Sequence, residues 1–138
     1  MNRTDLQTIA EIRVQEATAL RDQGHRQGAY YLLGYAVECA LKACIAKQIR
    51  EHDFPDKRLI QGSYTHDLKE LLNLSGLKGN FKVEVGRNKA FSVNWEIVEG
   101  WNETFRYRTN VEETIVNDFF TAVLDGSNGV LPWLKRWW

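Results

Sequence analysis

Apolar residues recur every three or four positions in the first part of the chain, which is the period of an amphipathic helix. This pattern predicts a helix from Asp5 to about Gln23, with Thr4 or Asp5 as its cap. A second helix is predicted from about Gln27 to about Glu51, where apolar residues cover more than half of the helix surface. A helix of that kind belongs at the centre of a fold.

The middle of the chain has a weaker pattern. Asp53 to Tyr64 contains a proline and a glycine, so we expect a loop there. A short helix from about His66 to Asn73 should follow, with Thr65 as its N-cap. Residues 75 to 93 contain three glycines and one alternating stretch, FKVEV, and are predicted to form a loop or a lone helical turn.

Helical spacing returns in the last third of the chain. Apolar residues form one stripe from Phe91 to Gly100 and on to Trp101. A long helix is predicted from Thr109 to about Leu124, with its inner side formed by Val111, Ile115, Phe119, Ala122 and Val123. These elements predict one all-α domain over residues 1–138, an antiparallel up-and-down bundle of four to five helices.

The chain ends in a short apolar tail, Val130 to Trp138, which holds three of the five tryptophans. Trp133 and Trp137 are four positions apart and can lie on one face, with Lys135 and Arg136 outside. Three indoles in water would be a liability, so the tail should cover either its own core or a second subunit.

Composition and charge narrow the class of protein. The chain has 18 basic and 18 acidic residues, so any binding of nucleic acid must come from a local patch. Its start has no long apolar segment typical of a signal peptide, and no membrane span is evident, so we expect a cytoplasmic protein without membrane contact. Cys39 and Cys44 face different directions on a helix, and with three scattered histidines they form no metal-ligand set. Neither a metal nor another cofactor is expected.

Four motifs follow one another along the chain: GYAVECALKACI (34–45), THDLKELL (65–72), WEIVEGWNETFRYR (95–108) and GVLPWLKRWW (129–138). In this order they resemble a prokaryotic HEPN-domain protein, from about Gln15 to the C-terminus. The resemblance implies an all-helical up-and-down bundle that tends to dimerise. HEPN proteins include ribonuclease toxins, partners of minimal nucleotidyltransferases, and non-catalytic interaction or nucleotide-binding modules, so the resemblance narrows the fold far more than the function.

The ribonuclease members of that family carry an arginine followed, after four to six residues, by a histidine. None of the three histidines, His25, His52 and His66, has an arginine at that spacing. Metal-independent RNA cleavage needs a general base, a role that suits histidine because its pKa lies near 7. The usual mechanism therefore lacks its base here. His66, together with Arg106 or Arg108, is the candidate substitute, and the competing interpretation is a structural histidine bonded to a backbone group or a carboxylate.

Glu38 and Lys42 are four positions apart on the most apolar helix. One interpretation is an ordinary ion pair at the helix surface. The other is that Glu38 is buried among apolar neighbours and must be paired, and we expect its partner to be an arginine of the RYR segment, Arg106 or Arg108.

The segment around Arg106, Tyr107 and Arg108 is the candidate ligand or phosphate-binding site. Lys42, Glu38 and Trp101 are further candidates for the same site. Aromatic rings can stack a base while arginines hold phosphate. Aromatic residues at helical spacing are more often core, so Trp95 and Trp101 are expected to be buried and Arg106 to Arg108 to form an exposed rim.

These observations predict a HEPN-type interaction module, either non-catalytic or dependent on a partner. Such a module could bind nucleotide or RNA, or form a toxin–antitoxin or defence pair with a nucleotidyltransferase-family protein. Two alternatives stay open: a metal-independent ribonuclease that uses His66 with Arg106 or Arg108, and a domain that only dimerises. A homodimer is expected in each case.

Overall fold

The computed structural model describes all residues from 1 to 138 and contains helices but no strand. There are eight α-helices and one 3-10 helix: α1 (Arg3–Asp22), α2 (Arg26–Lys47), α3 (Lys57–Gly62), α4 (Leu68–Leu74), α5 (Lys78–Arg87), α6 (Lys89–Glu99), the 3-10 helix (Glu103–Tyr107), α7 (Glu113–Leu124) and α8 (Val130–Lys135). The all-α prediction is confirmed. Five of the α-helices have ten residues or more and three have only six or seven, so the number of longer helices agrees with the expected four to five.

Helices α1 and α2 form an antiparallel hairpin, as their spacing predicts. The side chain of Asn2 accepts the Asp5 N–H, and the side chain of Asp5 accepts the Asn2 N–H, so α1 begins with a capping box. Gly24 ends it with φ +82°, a left-handed conformation that glycine adopts at no steric cost. The cap is thus Asn2 rather than Thr4 or Asp5, and α2 ends at Lys47, four residues before the expected Glu51.

Helix α2 is the centre of the structure. It packs against α1, α4, the 3-10 helix, α7 and α8. Its residues Leu33, Val37 and Leu41 are fully buried. By length and composition it could span a membrane, but 72% of its most apolar window is buried inside the protein, as in the core helix of a folded domain.

Two segments that the sequence pattern assigns to loops are helices in the structure. Asp56 caps α3 by accepting the Arg58 N–H at 2.8 Å. Helix α5 covers most of residues 75 to 93, and its Phe81 and Val85, one turn apart, pack against the core. The alternation of FKVEV favoured a strand, but packing of Phe81 and Val85 against the core outweighs that local preference.

Helix α7 is shorter than expected and is rotated slightly from the predicted face. It begins at Glu113 rather than Thr109. Val116, Phe119, Phe120 and Val123 are buried, whereas Ile115, which we placed on the inner side, is nearly half exposed.

The C-terminal tail covers the protein's own core, which confirms one of the two expectations for it. Trp133 is buried with its ring centroid 5.1 Å from that of Phe91. Trp137 and Trp138 are partly buried against the same core, while Lys135 and Arg136 are exposed. The backbone oxygens of the last two residues accept hydrogen bonds from Lys47 Nζ at 3.0 Å and Arg3 Nη2 at 2.8 Å, so α1 and α2 hold the tail in place.

The closest approach in the core is between Gly34 of α2 and Trp101. A Cβ atom at position 34 would overlap the indole ring of Trp101. Trp101 is 2% exposed, so its ring is packed among other side chains and cannot shift without disturbing them. The glycine is therefore required by packing rather than by backbone conformation.

Replacing Gly34 by alanine should destabilise the fold through this overlap. We expect Gly34→Ala to lower the free energy of unfolding by about 1–3 kcal/mol. The matched control is Gly86→Ala in α5, where a Cβ atom meets nothing within 4 Å, and it should raise the free energy of unfolding by up to about 1 kcal/mol. Urea unfolding measures the stability of both variants. A Gly34→Ala variant as stable as the parent would contradict the observed packing of the Trp101 ring against Gly34.

Candidate functional site

A buried carboxylate lies in the middle of α2. Glu38 is 1% exposed, since α2 is covered from all sides at this level. It accepts a hydrogen bond from Lys42 Nζ at 2.8 Å, one helical turn further on. Its two oxygens each lie 3.0 Å from His66 Nδ1. The predicted burial of Glu38 is confirmed.

The predicted partner of Glu38 is wrong. We expected an arginine from the segment 106–108, but the groups that pair with Glu38 are Lys42 and His66. Lys42 reaches the carboxylate from the next turn of its own helix, and its side chain keeps 22% of its surface in solvent. Arg106 and Arg108 lie over aromatic rings instead.

His66 is held against α2 by the turn that starts α4. Asp67 caps α4 by accepting the N–H groups of Lys69 at 2.9 Å and Glu70 at 3.1 Å. Thr65, the expected cap, instead accepts the Asp67 N–H through Oγ1 at 3.1 Å. Helix α4 thus begins two residues later than predicted, and His66 stays outside it, bonded to Glu38.

The bond to Glu38 determines which nitrogen of His66 carries hydrogen. A carboxylate only accepts hydrogen bonds, so Nδ1 must be the donor. In the neutral imidazole Nε2 then carries a free lone pair, and the His66 side chain is 42% exposed. The expectation of a structural histidine bonded to a carboxylate is confirmed as a contact, and the same contact orients the ring in the way that a carboxylate orients a catalytic histidine.

His66 lines a cavity of about 530 Å³ together with Thr65 and Asp67, which precede α4, and with residues 99–104, from the end of α6 to the start of the 3-10 helix. The charged residues of its wall besides His66 are Asp67, Glu99 and Glu103. No lysine or arginine lines it, so this cavity is acidic. Within one chain, the structure does not bring Arg106 or Arg108 into the same cavity as His66.

Arg106, Tyr107 and Arg108 form an exposed rim, as expected, at the end of the 3-10 helix. The guanidinium of Arg106 lies 4.8 Å from the ring centroid of Tyr107, which is itself 73% exposed. The guanidinium of Arg108 lies 4.4 Å from the ring centroid of Phe105. Neither arginine has a carboxylate within 4 Å, so the positive charge of the rim is not neutralised by the protein.

The rim continues onto α2 through two tyrosines. Interaction with the hydroxyl groups of Tyr107 and Tyr31 raises the pKa of Arg106 above its ordinary value. The ring of Tyr31 lies 5.9 Å from that of Tyr35, and both rings are partly exposed. The rim therefore combines exposed aromatic faces with two unpaired positive charges.

Trp101 belongs to the core rather than to the rim, as predicted for it and for Trp95. Its ring packs against Gly34, and its Nε1 has no hydrogen-bond partner. Of the proposed ligand-binding residues, Trp101 is thus not available to stack on a base. The aromatic residue that offers an open face is Tyr107.

The two cysteines, Cys39 and Cys44, are buried and unlinked. Burial raises the pKa of each thiol to about 11. Since the thiolate is the reactive form, neither is a nucleophile near neutral pH. The structure contains no group of three or more His, Cys, Asp or Glu side chains that could hold a metal ion.

Comparison of this chain with protein-family models, with curated proteins and with solved structures finds no match. The likeness to HEPN proteins therefore depends on the four sequence motifs. Two of these motifs supply the site: GYAVECALKACI contains Glu38 and Lys42, and THDLKELL contains His66.

Removing Glu38 should destabilise the protein, because Lys42 and His66 would lose their partner and α2 would gain a cavity. We expect Glu38→Ala to lower the free energy of unfolding by about 2–4 kcal/mol. Glu96→Ala, at an exposed position of α6, is the control and should stay within about 0.5 kcal/mol of the parent.

A double-mutant cycle with Lys42→Ala separates the ion pair from the cavity. A coupling energy of about 1 kcal/mol between positions 38 and 42 is expected in urea unfolding. A cost for Glu38→Ala no larger than that for Glu96→Ala would contradict the pairing of a buried charge.

Proposed function

We propose that this chain is a HEPN-type interaction module that binds RNA or nucleotide on the rim formed by Arg106, Tyr107 and Arg108 and does not cleave it. The observation that carries the proposal is the unpaired positive charge of the rim beside the exposed ring of Tyr107. Arginines hold phosphate bidentately, and an exposed ring stacks on any base. Such a site binds without strong sequence preference.

The acidic wall around His66 supports binding rather than cleavage. A phosphodiester in this cavity would face Asp67, Glu99 and Glu103 and would meet no arginine or lysine. Stabilising the charge that develops on a transferring phosphoryl group requires cations placed at the reacting centre. Within one chain neither Arg106 nor Arg108 lines this cavity, so the base and the phosphate clamp are not assembled there.

As parts of the same proposal, the module is cytoplasmic, forms a homodimer and pairs with a nucleotidyltransferase-family protein in a toxin–antitoxin or defence system. The order of the four motifs supports these parts. Light scattering during gel filtration tests the homodimer, for which a mass twice that of the 16.0 kDa chain is expected. Co-purification with the product of a neighbouring nucleotidyltransferase reading frame tests the pairing with such a protein.

Removing the charge of the rim should weaken RNA binding and its dependence on salt. For a labelled single-stranded oligouridylate, Arg106→Ala/Arg108→Ala should make the slope of log affinity against log salt less negative by about 1.4, or about 0.7 for each lost phosphate contact. Tyr107→Ala should weaken binding by about tenfold through lost stacking, without changing that slope. Fluorescence anisotropy over a series of salt concentrations measures both.

The control for this experiment is Arg50→Ala/Arg58→Ala, which removes two exposed arginines that are remote from the rim in sequence and make no ion pair. Equal weakening by the control and the rim variant would mean that only net charge matters and would contradict the proposed site. Flat titrations with both RNA and free nucleotides would instead support a domain that only dimerises.

A metal-independent ribonuclease is the second candidate, because Glu38 orients His66 with Nε2 free to accept a proton. It differs from the first proposal in one measurable outcome. We expect the purified protein to leave single-stranded RNA intact in EDTA. Cleavage by the parent that is lost in both His66→Ala and Arg106→Ala would contradict the first proposal and support the second, with the missing arginine reaching His66 across a dimer.

A further inference from the structure

A groove of about 400 Å³ lies between α4, α5 and α6. Its apolar wall consists of Leu72, Phe81, Val85 and Trp95. Trp95 and Leu72 are buried, and the rings of Phe81 and Trp95 meet edge to face with centroids 5.3 Å apart. Core side chains thus form this surface, so it is in place before any ligand arrives.

Charged residues surround this apolar surface. Lys69 of α4 and Lys78 and Lys82 of α5 lie on one side, and Glu96 and Glu99 of α6 lie on the other. None of the five makes an ion pair within 4 Å. Three positive charges against two negative ones leave a single net positive charge around the groove.

We propose that the groove binds an amphipathic monoanion, a small molecule with an alkyl or aromatic body and one carboxylate or comparable acidic head group. The body would lie on Phe81 and Trp95, and the head group would lie beside Lys78 and Lys82. Its volume lies in the range of small-molecule sites, and an apolar floor surrounded by charged side chains suits a molecule that is itself amphipathic. The site is separate from the rim of Arg106 to Arg108 and does not depend on the proposed function of that rim.

The charge pattern determines the class of ligand. Glu96 and Glu99 oppose a head group with several negative charges, which disfavours a polyphosphate at this place. An uncharged ligand would gain from the apolar floor but nothing from the lysines. The long stems of Lys69, Lys78 and Lys82 extend the apolar wall toward solvent while the ammonium groups stay hydrated, which suits an extended body that ends in a charge.

Sodium decanoate, kept below its micelle concentration, is the probe, and its binding is measured by calorimetry and by the indole N–H resonance of Trp95. We expect saturable binding that shifts this resonance, with decanol binding more weakly. Lys78→Glu/Lys82→Glu should weaken binding of decanoate by about tenfold or more and leave binding of decanol unchanged. Lys57→Glu/Lys89→Glu carries the same change of charge at exposed lysines outside the groove and should bind decanoate like the parent.

A second variant tests the groove independently of charge. Ser92→Trp places a bulky side chain at the wall of the groove and should abolish binding of both ligands while RNA binding at the rim stays unchanged. The proposal is overturned if decanoate and decanol bind equally, if the two lysine variants behave alike, or if no saturable binding occurs. It is also overturned if Lys78→Glu/Lys82→Glu converts a dimer into a monomer, because the groove would then be covered by a second copy of the chain.

Discussion

Helix α2 carries apolar side chains over more than half of its surface, so most of that surface must be kept from water. The chain meets this requirement by placing α1, α4, α7, α8 and the 3-10 helix around it. The one carboxylate within this helix, that of Glu38, is desolvated as a result and cannot be left unpaired. Lys42 supplies the opposite charge and His66 a hydrogen bond, and His66 can reach Glu38 because it lies just before α4, which packs on α2.

The parts of the fold that could be predicted from the sequence are those that depend on the residue pattern of a single segment. The period of α1 and the apolar character of α2 are local, and so is the burial of Glu38 among apolar neighbours of its own helix. The partner of Glu38 is not local in this sense. His66 lies 28 positions further along the chain and meets Glu38 only through the packing of α4 on α2.

Helix α5 was missed for a related physical reason. A ten-residue helix with two glycines is marginal as an isolated segment, and its alternating residues favour a strand. The spacing of Phe81 and Val85, one turn apart, was the available signal. That spacing predicts a helix only if another surface is present for these two side chains to cover, and α6 provides that surface. The groove beside them was invisible to sequence analysis for the same reason.

A neutral chain can still carry surfaces of opposite charge, and here each surface has its own chemistry. The cavity at His66 is acidic, the rim from Arg106 to Arg108 is basic, and the groove at Trp95 is apolar with lysines on one side. Separate surfaces favour an interaction module, because an enzyme must bring its base and its charge-stabilising groups to one reacting atom.

The three surfaces are nevertheless held in register by one packing contact. Glu99 lines both the cavity and the groove, and Trp101 follows it two residues later, seated on Gly34 of α2. The 3-10 helix that carries Arg106 begins two residues after Trp101. Because a close-packed ring cannot shift without displacing its neighbours, the packing of Trp101 against Gly34 restrains the positions of Glu99, which precedes it in the chain, and of Arg106, which follows it. A change at the contact between Trp101 and Gly34 would therefore alter all three surfaces together, whereas a change at Arg106 or Tyr107 would leave the cavity and the groove in place, because neither residue lines them.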